Sequence, residues 1–97
     1  MIRHIVLLTL RPDAPAEAGE SIVRALRGLP AQIGSIRDYQ AGVDLGLNPG
    51  NATVAATATF DDEAGYFEYR DHPAHKAVIQ ELIDPVRESR AGIQFEL

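Results

Sequence analysis

Cysteine is absent from the 97 residues, which excludes disulfides and thiolate chemistry outright. Clustered positive charge is absent as well. Nine basic residues stand singly among fourteen acidic ones, for a net charge of −5. Without a basic patch there is no electrostatic footprint for nucleic acid and no polybasic attachment to a membrane surface. The opening Met1–Pro12 is too short and too interrupted for a signal peptide or a spanning helix. These absences lead to the expectation of a cytoplasmic protein. Internal repeats, low-complexity tracts and linkers are missing too, so residues 1–97 read as a single domain. A chain of this size buries roughly two-thirds of the surface its unfolded form exposes. With no covalent staple, its stability rests on packing, and association over a further apolar face adds to it.

What is present divides into elements. Ile2–Leu10 reads as a strand whose two parities, Ile2/His4/Val6/Leu8/Leu10 and Arg3/Ile5/Leu7/Thr9, are both apolar enough to need cover. Arg11-Pro12 ends it. Asp13 or a neighbour is a candidate cap for a helix running to about Gly28, with Pro15 tolerated in its first turn. Ile22, Leu26 and Leu29 fall at i, i+4, i+7, with Ala18 and Ala25 beside them. Ile36–Leu45 and Ala52–Phe60 alternate as strands around Gly46–Asn51, where Pro49-Gly50 suits a type II turn. Asp61-Asp62-Glu63 opens a helix with acidic residues at its positive end. His72-Pro73 breaks that helix, because the residue before proline is pushed out of the α region. Pro73 then starts a new helix with His72 at the N-cap, in which His75, Ile79 and Leu82 share a face. Gly92–Leu97 reads as the last strand.

Strand, helix, strand, strand, helix pair, strand is the βαββαβ order of an α+β, ferredoxin-like domain, with helices on one face of an antiparallel sheet. The opposite face, carrying Ile5 and Leu7, has no cover within one chain. A second sheet packed on it solves the problem. The expected partner is therefore another copy, in a symmetric homodimer with a barrel-like interior.

Chemistry is concentrated in the three histidines and the tyrosines near two of them. His4 shares a parity with Val6 and Leu8; His75 shares a helical face with Ile79. The two rings are thus expected to approach across one cavity, with Tyr69 leaning into it and Leu26, Ile79 and His72 around it. The helix N-terminus disfavours imidazolium, so His75 should be neutral and able to act as a general base. Tyr69 is then a hydrogen-bond donor for a developing oxyanion. The plainer alternatives stay open. His72 is equally explained as a cap at the kink, His4 as a hydrogen-bonded core histidine, and Tyr66 and Tyr69 as packing aromatics. His72-x-x-His75 with His4 lacks the cysteine or glutamate of usual zinc spacings; no metal and no cofactor are expected. Gly46–Gly50 joins two strands and is no phosphate cradle.

Across nearly its whole length the chain resembles the stress-responsive dimeric α/β barrel (Dabb) family. The likeness lies in Ile2–Leu8, in Leu45–Asn51, in Phe60-Asp61-Asp62-Glu63 and in Gln94-Phe95-Glu96. Most specific is Tyr69-Arg70-Asp71-His72-Pro73-Ala74-His75. The resemblance implies a ferredoxin-like protomer and a dimer of facing sheets. It implies little about chemistry, because most members have no assigned activity. Plant members include a polyketide cyclase working without metal or cofactor, whose paired Tyr and His match Tyr69 and His75 and whose strand-one histidine matches His4. A further pocket histidine of that enzyme falls at Val54, a departure, and the resemblance thereby implies Val54 as a cavity residue. Three readings follow: a dimer binding a small apolar or carbonyl ligand, a cofactor-independent cyclase-like enzyme, or a structural stress protein with a filled interior. The volume between sheet and helices discriminates the last from the first two.

Overall fold

The computed structural model describes residues Met1–Leu97. Strand β1 (Ile2–Leu10) lies between β3 (Val54–Phe60) and β4 (Arg87–Glu96), antiparallel to both. Strand β2 (Asp38–Val43) pairs antiparallel with β3, so the sheet order is β2-β3-β1-β4. Helix α1 (Ala18–Arg27) connects β1 to β2. Helices α2 (Glu63–Asp71) and α3 (Pro73–Val78), with a π-helical turn at Ile79–Ile83, connect β3 to β4. This is the split βαβ arrangement expected from the element order.

The pleat sorts the sheet into two faces. Toward the helices point Leu8 of β1 and Val54, Ala56, Ala58 and Phe60 of β3, all buried. They meet Ile22, Val23 and Leu26 of α1, Leu29 and Ile33 after it, and Tyr69, Val78 and Ile83 of the second crossover. The small side chains of Ala56 and Ala58 let the helices settle close to the sheet. No helix covers the other face. There Leu7 is 42% and Ile93 56% exposed, with Phe95 beside them.

Four expectations need correction. Helix α1 starts at Ala18 rather than near Asp13, and its N-cap residue Glu17 makes no side-chain capping bond. Ala14 precedes Pro15 and is therefore driven from helical geometry, and Asp13 instead pairs with Arg11 at 3.4 Å. Strand β4 begins at Arg87, five residues before Gly92. It is the sheet edge, and all its residues are exposed, so backbone pairing with β1 holds its first half, Arg87–Arg90, without any apolar alternation. The hairpin strands are shorter than Ile36–Leu45 and Ala52–Phe60, ending where cross-strand pairing ends. Leu82 is not on the buried face of its helix. In the π turn Asp84 N–H bonds Ile79 C=O at 2.8 Å, which inserts one extra residue per turn. Ile83 (5% exposed) thereby takes the inward place, and Leu82 (37%) turns out.

Local signals elsewhere act as expected. Gly50 has φ +85°, as the third position of a type II turn requires. Asp62 caps α2 by accepting from Gly65 N–H at 2.9 Å. His72 is extended (φ −64°, ψ 136°) and caps α3; its Nδ1 accepts from Ala74 N–H at 3.0 Å.

Candidate functional site

His4 stands in the middle of β1 on the helix-facing parity, only 3% exposed. The register places Gln94 of β4 directly opposite, and the Gln94 amide nitrogen lies 2.8 Å from His4 Nδ1. With the amide donating, Nδ1 is the acceptor and the ring proton sits on Nε2. Tyr66 and Tyr69 reach down from α2 as neighbours, with ring centroids 5.1 and 5.8 Å from the imidazole and 6.4 Å from each other. Tyr69 is buried at the end of α2, and its hydroxyl lies 3.2 Å from that of Tyr39 on β2.

His75 packs against the Tyr69 ring at 4.2 Å between centroids, tilted by 33°. Its Nδ1 is 3.0 Å from the Arg70 carbonyl. A carbonyl can only accept, so Nδ1 carries the proton and Nε2 of the neutral ring carries the lone pair. The kink at His72-Pro73 makes this contact possible, because it brings the first turn of α3 back over the last carbonyls of α2.

Burial governs the ionisation of the whole group. It lowers the His4 pKa to about 4, with the positive charge of Arg90 and then His75 adding to the effect. His75 is lowered as well, chiefly by burial; the Arg70 carbonyl opposes this, and Arg90 assists it. The cause is therefore desolvation rather than the helix N-terminus invoked from the sequence. Burial, with the neighbouring Tyr39 next, raises the Tyr69 hydroxyl above its ordinary value, so it remains a phenol.

A cavity of about 270 Å³ opens between sheet and helices. His4, Tyr69, His75, Leu26 and Ile79 all line it, and its rim carries Arg70, Asp84, Arg87 and Arg90. Two of the residues expected there lie elsewhere. Val54 is buried under α1, where a methyl group on Gly19 would stand 3.6 Å from it. His72 is occupied as the cap of α3. No three His, Cys, Asp or Glu side chains come together in a way that could hold a metal ion.

Residues 2–97 match the family model described as Dabb, Stress responsive A/B Barrel Domain. The chain belongs to the Dabb family. It is 38% identical to a dimeric ferredoxin-like protein of unknown function from Thermobifida fusca, with a TM-score of 0.89 over 99% of this chain and 90% of that one. A dimeric protein of unknown function and ferredoxin-like fold from Bacteroides fragilis is 34% identical, with a TM-score of 0.87 over 99% and 95% of the two chains. An uncharacterised protein of Streptomyces coelicolor is 30% identical over 79 residues, 79% of this chain and 81% of that one.

In this Dabb chain the cavity combines groups of opposite hydrogen-bonding sense. His4 brings an N–H donor, His75 an unprotonated nitrogen, and Tyr69 a phenol already linked to Tyr39. Tyr39, Gln94 and Arg90 were not among the site residues expected from the sequence. Tyr39 had a signal, since its parity with Ala41 and Val43 points it at the helices. Gln94 falls in the expected last strand, but its place opposite His4 depends on the register; for Arg90 the signal also required the true start of β4, which puts Arg90, Gly92 and Gln94 on one parity opposite Leu8, Val6 and His4.

Proposed function

We propose that this Dabb protein binds a small, largely apolar carbonyl compound in the cavity between sheet and helices, as a homodimer formed by the uncovered sheet faces. The observation that carries the reading is the convergence of His4, Tyr69 and His75 on one open volume of about 270 Å³. A purely structural role would have been served by a filled interior. A dry cavity of about 150 Å³ already accepts benzene, so the space here suits a single ring or a short branched chain with a polar substituent. The apolar uncovered face, with Ile5, Leu7, Ile93 and Phe95, supports the homodimer.

Tying of His75 through Nδ1 supports a second reading, cofactor-independent proton transfer. The neutral ring turns its basic nitrogen away from the Arg70 carbonyl. If Tyr39 donates to the Tyr69 oxygen, the Tyr69 proton is free to meet an enolate oxygen. His75 would then be the base and Tyr69 the oxyanion donor, with His4 Nε2–H as a further donor. The test needs no knowledge of the substrate: exchange of α-protons of small ketones in D2O, followed by proton NMR. Catalysed exchange that falls about a hundredfold or more in His75→Ala supports the base assignment, since general bases contribute roughly 10²–10⁴-fold. Equal exchange in both proteins refutes it. Thermal stabilisation by carbonyl compounds tests the binding reading separately.

A further inference from the structure

Arg90 stands apart among the charged residues of the cavity rim. Arg70 pairs with Asp71 at 2.9 Å, and Arg87 with Asp84 at 3.7 Å. Arg90 lines the same volume with no carboxylate and no hydrogen-bond partner, in a chain whose net charge is −5. Its conformation is specific. The guanidinium folds back over Gly92, so a Cβ at Gly92 would lie 3.0 Å from both terminal nitrogens and 3.2 Å from the carbon between them. Arg90 is paired with Leu8, Gly92 with Val6 and Gln94 with His4. Folding over Gly92 therefore carries the cation along the strand from the level of Leu8 toward His4. The missing side chain at Gly92 is what leaves room for it.

We propose that Arg90 is the anion-binding side chain of this cavity and that the ligand carries a carboxylate along with its carbonyl. This rests on the reading of the cavity as a ligand site. The interior offers such a ligand neutral hydrogen-bonding groups and apolar walls but no countercharge, because both imidazoles are uncharged. The one carboxylate of the rim, Asp84, is offset by Arg87. A planar guanidinium free of partners meets a carboxylate in the two-pronged manner that favours arginine at such sites.

The test measures binding of two acid and amide pairs of nearly equal shape, acetoacetate with acetoacetamide and benzoate with benzamide. Binding is followed by NMR shifts of the histidine rings in the intact protein. In the native protein the acids should bind about tenfold more tightly than the amides, a preference that shrinks with added salt. Arg90→Gln should abolish the preference, bringing the acids down to the level of the amides. Arg24→Gln, on the exposed side of α1, removes the same charge and should preserve it. Gly92→Ala retains every charge but displaces the guanidinium, and should reduce the preference several-fold. The Arg90 side chain has no partner within the protein and lies on the sheet edge, so its replacement leaves the fold intact. Amides binding as well as acids in the native protein, or a preference that survives in Arg90→Gln or in Gly92→Ala, would overturn the role of Arg90 and leave the ligand cavity standing. Failure of all four compounds to bind overturns both.

Discussion

Mild acid should destabilise the protein through His4, and by an amount the structure sets. The ring is buried with its Nδ1 held by Gln94, and its pKa falls from 6.5 to about 4. Between those values the unfolded chain binds a proton at this position and the folded chain does not, so stability rises with pH across that window. The contribution is present in full above about pH 6.5 and is lost as the pH falls toward 4. The whole gap, at about 1.36 kcal/mol per pH unit, is on the order of 3 kcal/mol. Of this, about 2 kcal/mol is lost between pH 7 and pH 5. His4→Gln keeps a polar side chain beside Gln94 and removes the titration. Urea unfolding of both proteins at each pH, at one protomer concentration and ionic strength, isolates the effect. Common groups, including the depressed carboxylates of Asp61 and Asp71, cancel in the difference. The native protein should converge on the variant by about 2 kcal/mol between pH 7 and pH 5. Parallel curves would refute the argument, because they would mean that His4 protonates as freely in the fold as outside it.

Other outcomes follow from single contacts. His72→Ala removes the bond to Ala74 N–H and should cost about 1 kcal/mol, seen as a Tm lower by about 5 °C, with carbonyl binding nearly unchanged; an equal loss of binding would return His72 to the site. Leu7→Asp places a charge at the centre of the uncovered sheet face and should give a monomer by sedimentation at micromolar concentration, whereas a dimer that survives would place the interface elsewhere. Dialysis against a chelator should leave unfolding and ligand binding unaltered, since His72 and His75 each commit Nδ1 to the backbone; a loss of either would reveal a metal.

Much of the architecture was legible because its signals are local. Pro49-Gly50 dictates the hairpin turn, His72-Pro73 the kink, and the two apolar parities of Ile2–Leu10 a strand needing cover on both sides. The approach of His4 and His75 followed from parity and helical spacing alone. What escaped depends on hydrogen bonds that composition does not record. The backbone pairs Arg87–Ala91 with β1 though nothing in those side chains asks for it, and the π turn exchanges Leu82 for Ile83. Val54, implied as a cavity residue by the resemblance, lies outside the cavity for a related reason. It shares a parity with Ala56 and Ala58, but which helix lies over each position depends on the crossing of α1, whose Gly19 comes down on Val54. Arg90 stayed hidden because residues before Gly92 were not read as strand.

The tyrosine cluster has an optical consequence. The chain contains three tyrosines and no tryptophan, and all three belong to one group: Tyr66 and Tyr69 on the cavity wall and Tyr39 bonded to Tyr69. Centroid separations of 6.0 Å for Tyr39–Tyr69 and 6.4 Å for Tyr66–Tyr69 are short enough for excitation to pass between rings. Intrinsic emission and the tyrosine bands of near-ultraviolet dichroism therefore report on this one cluster, two of whose rings line the cavity. A small molecule entering beside His75 would alter the signal without any label. Occupancy of the cavity could then be followed in the unmodified protein.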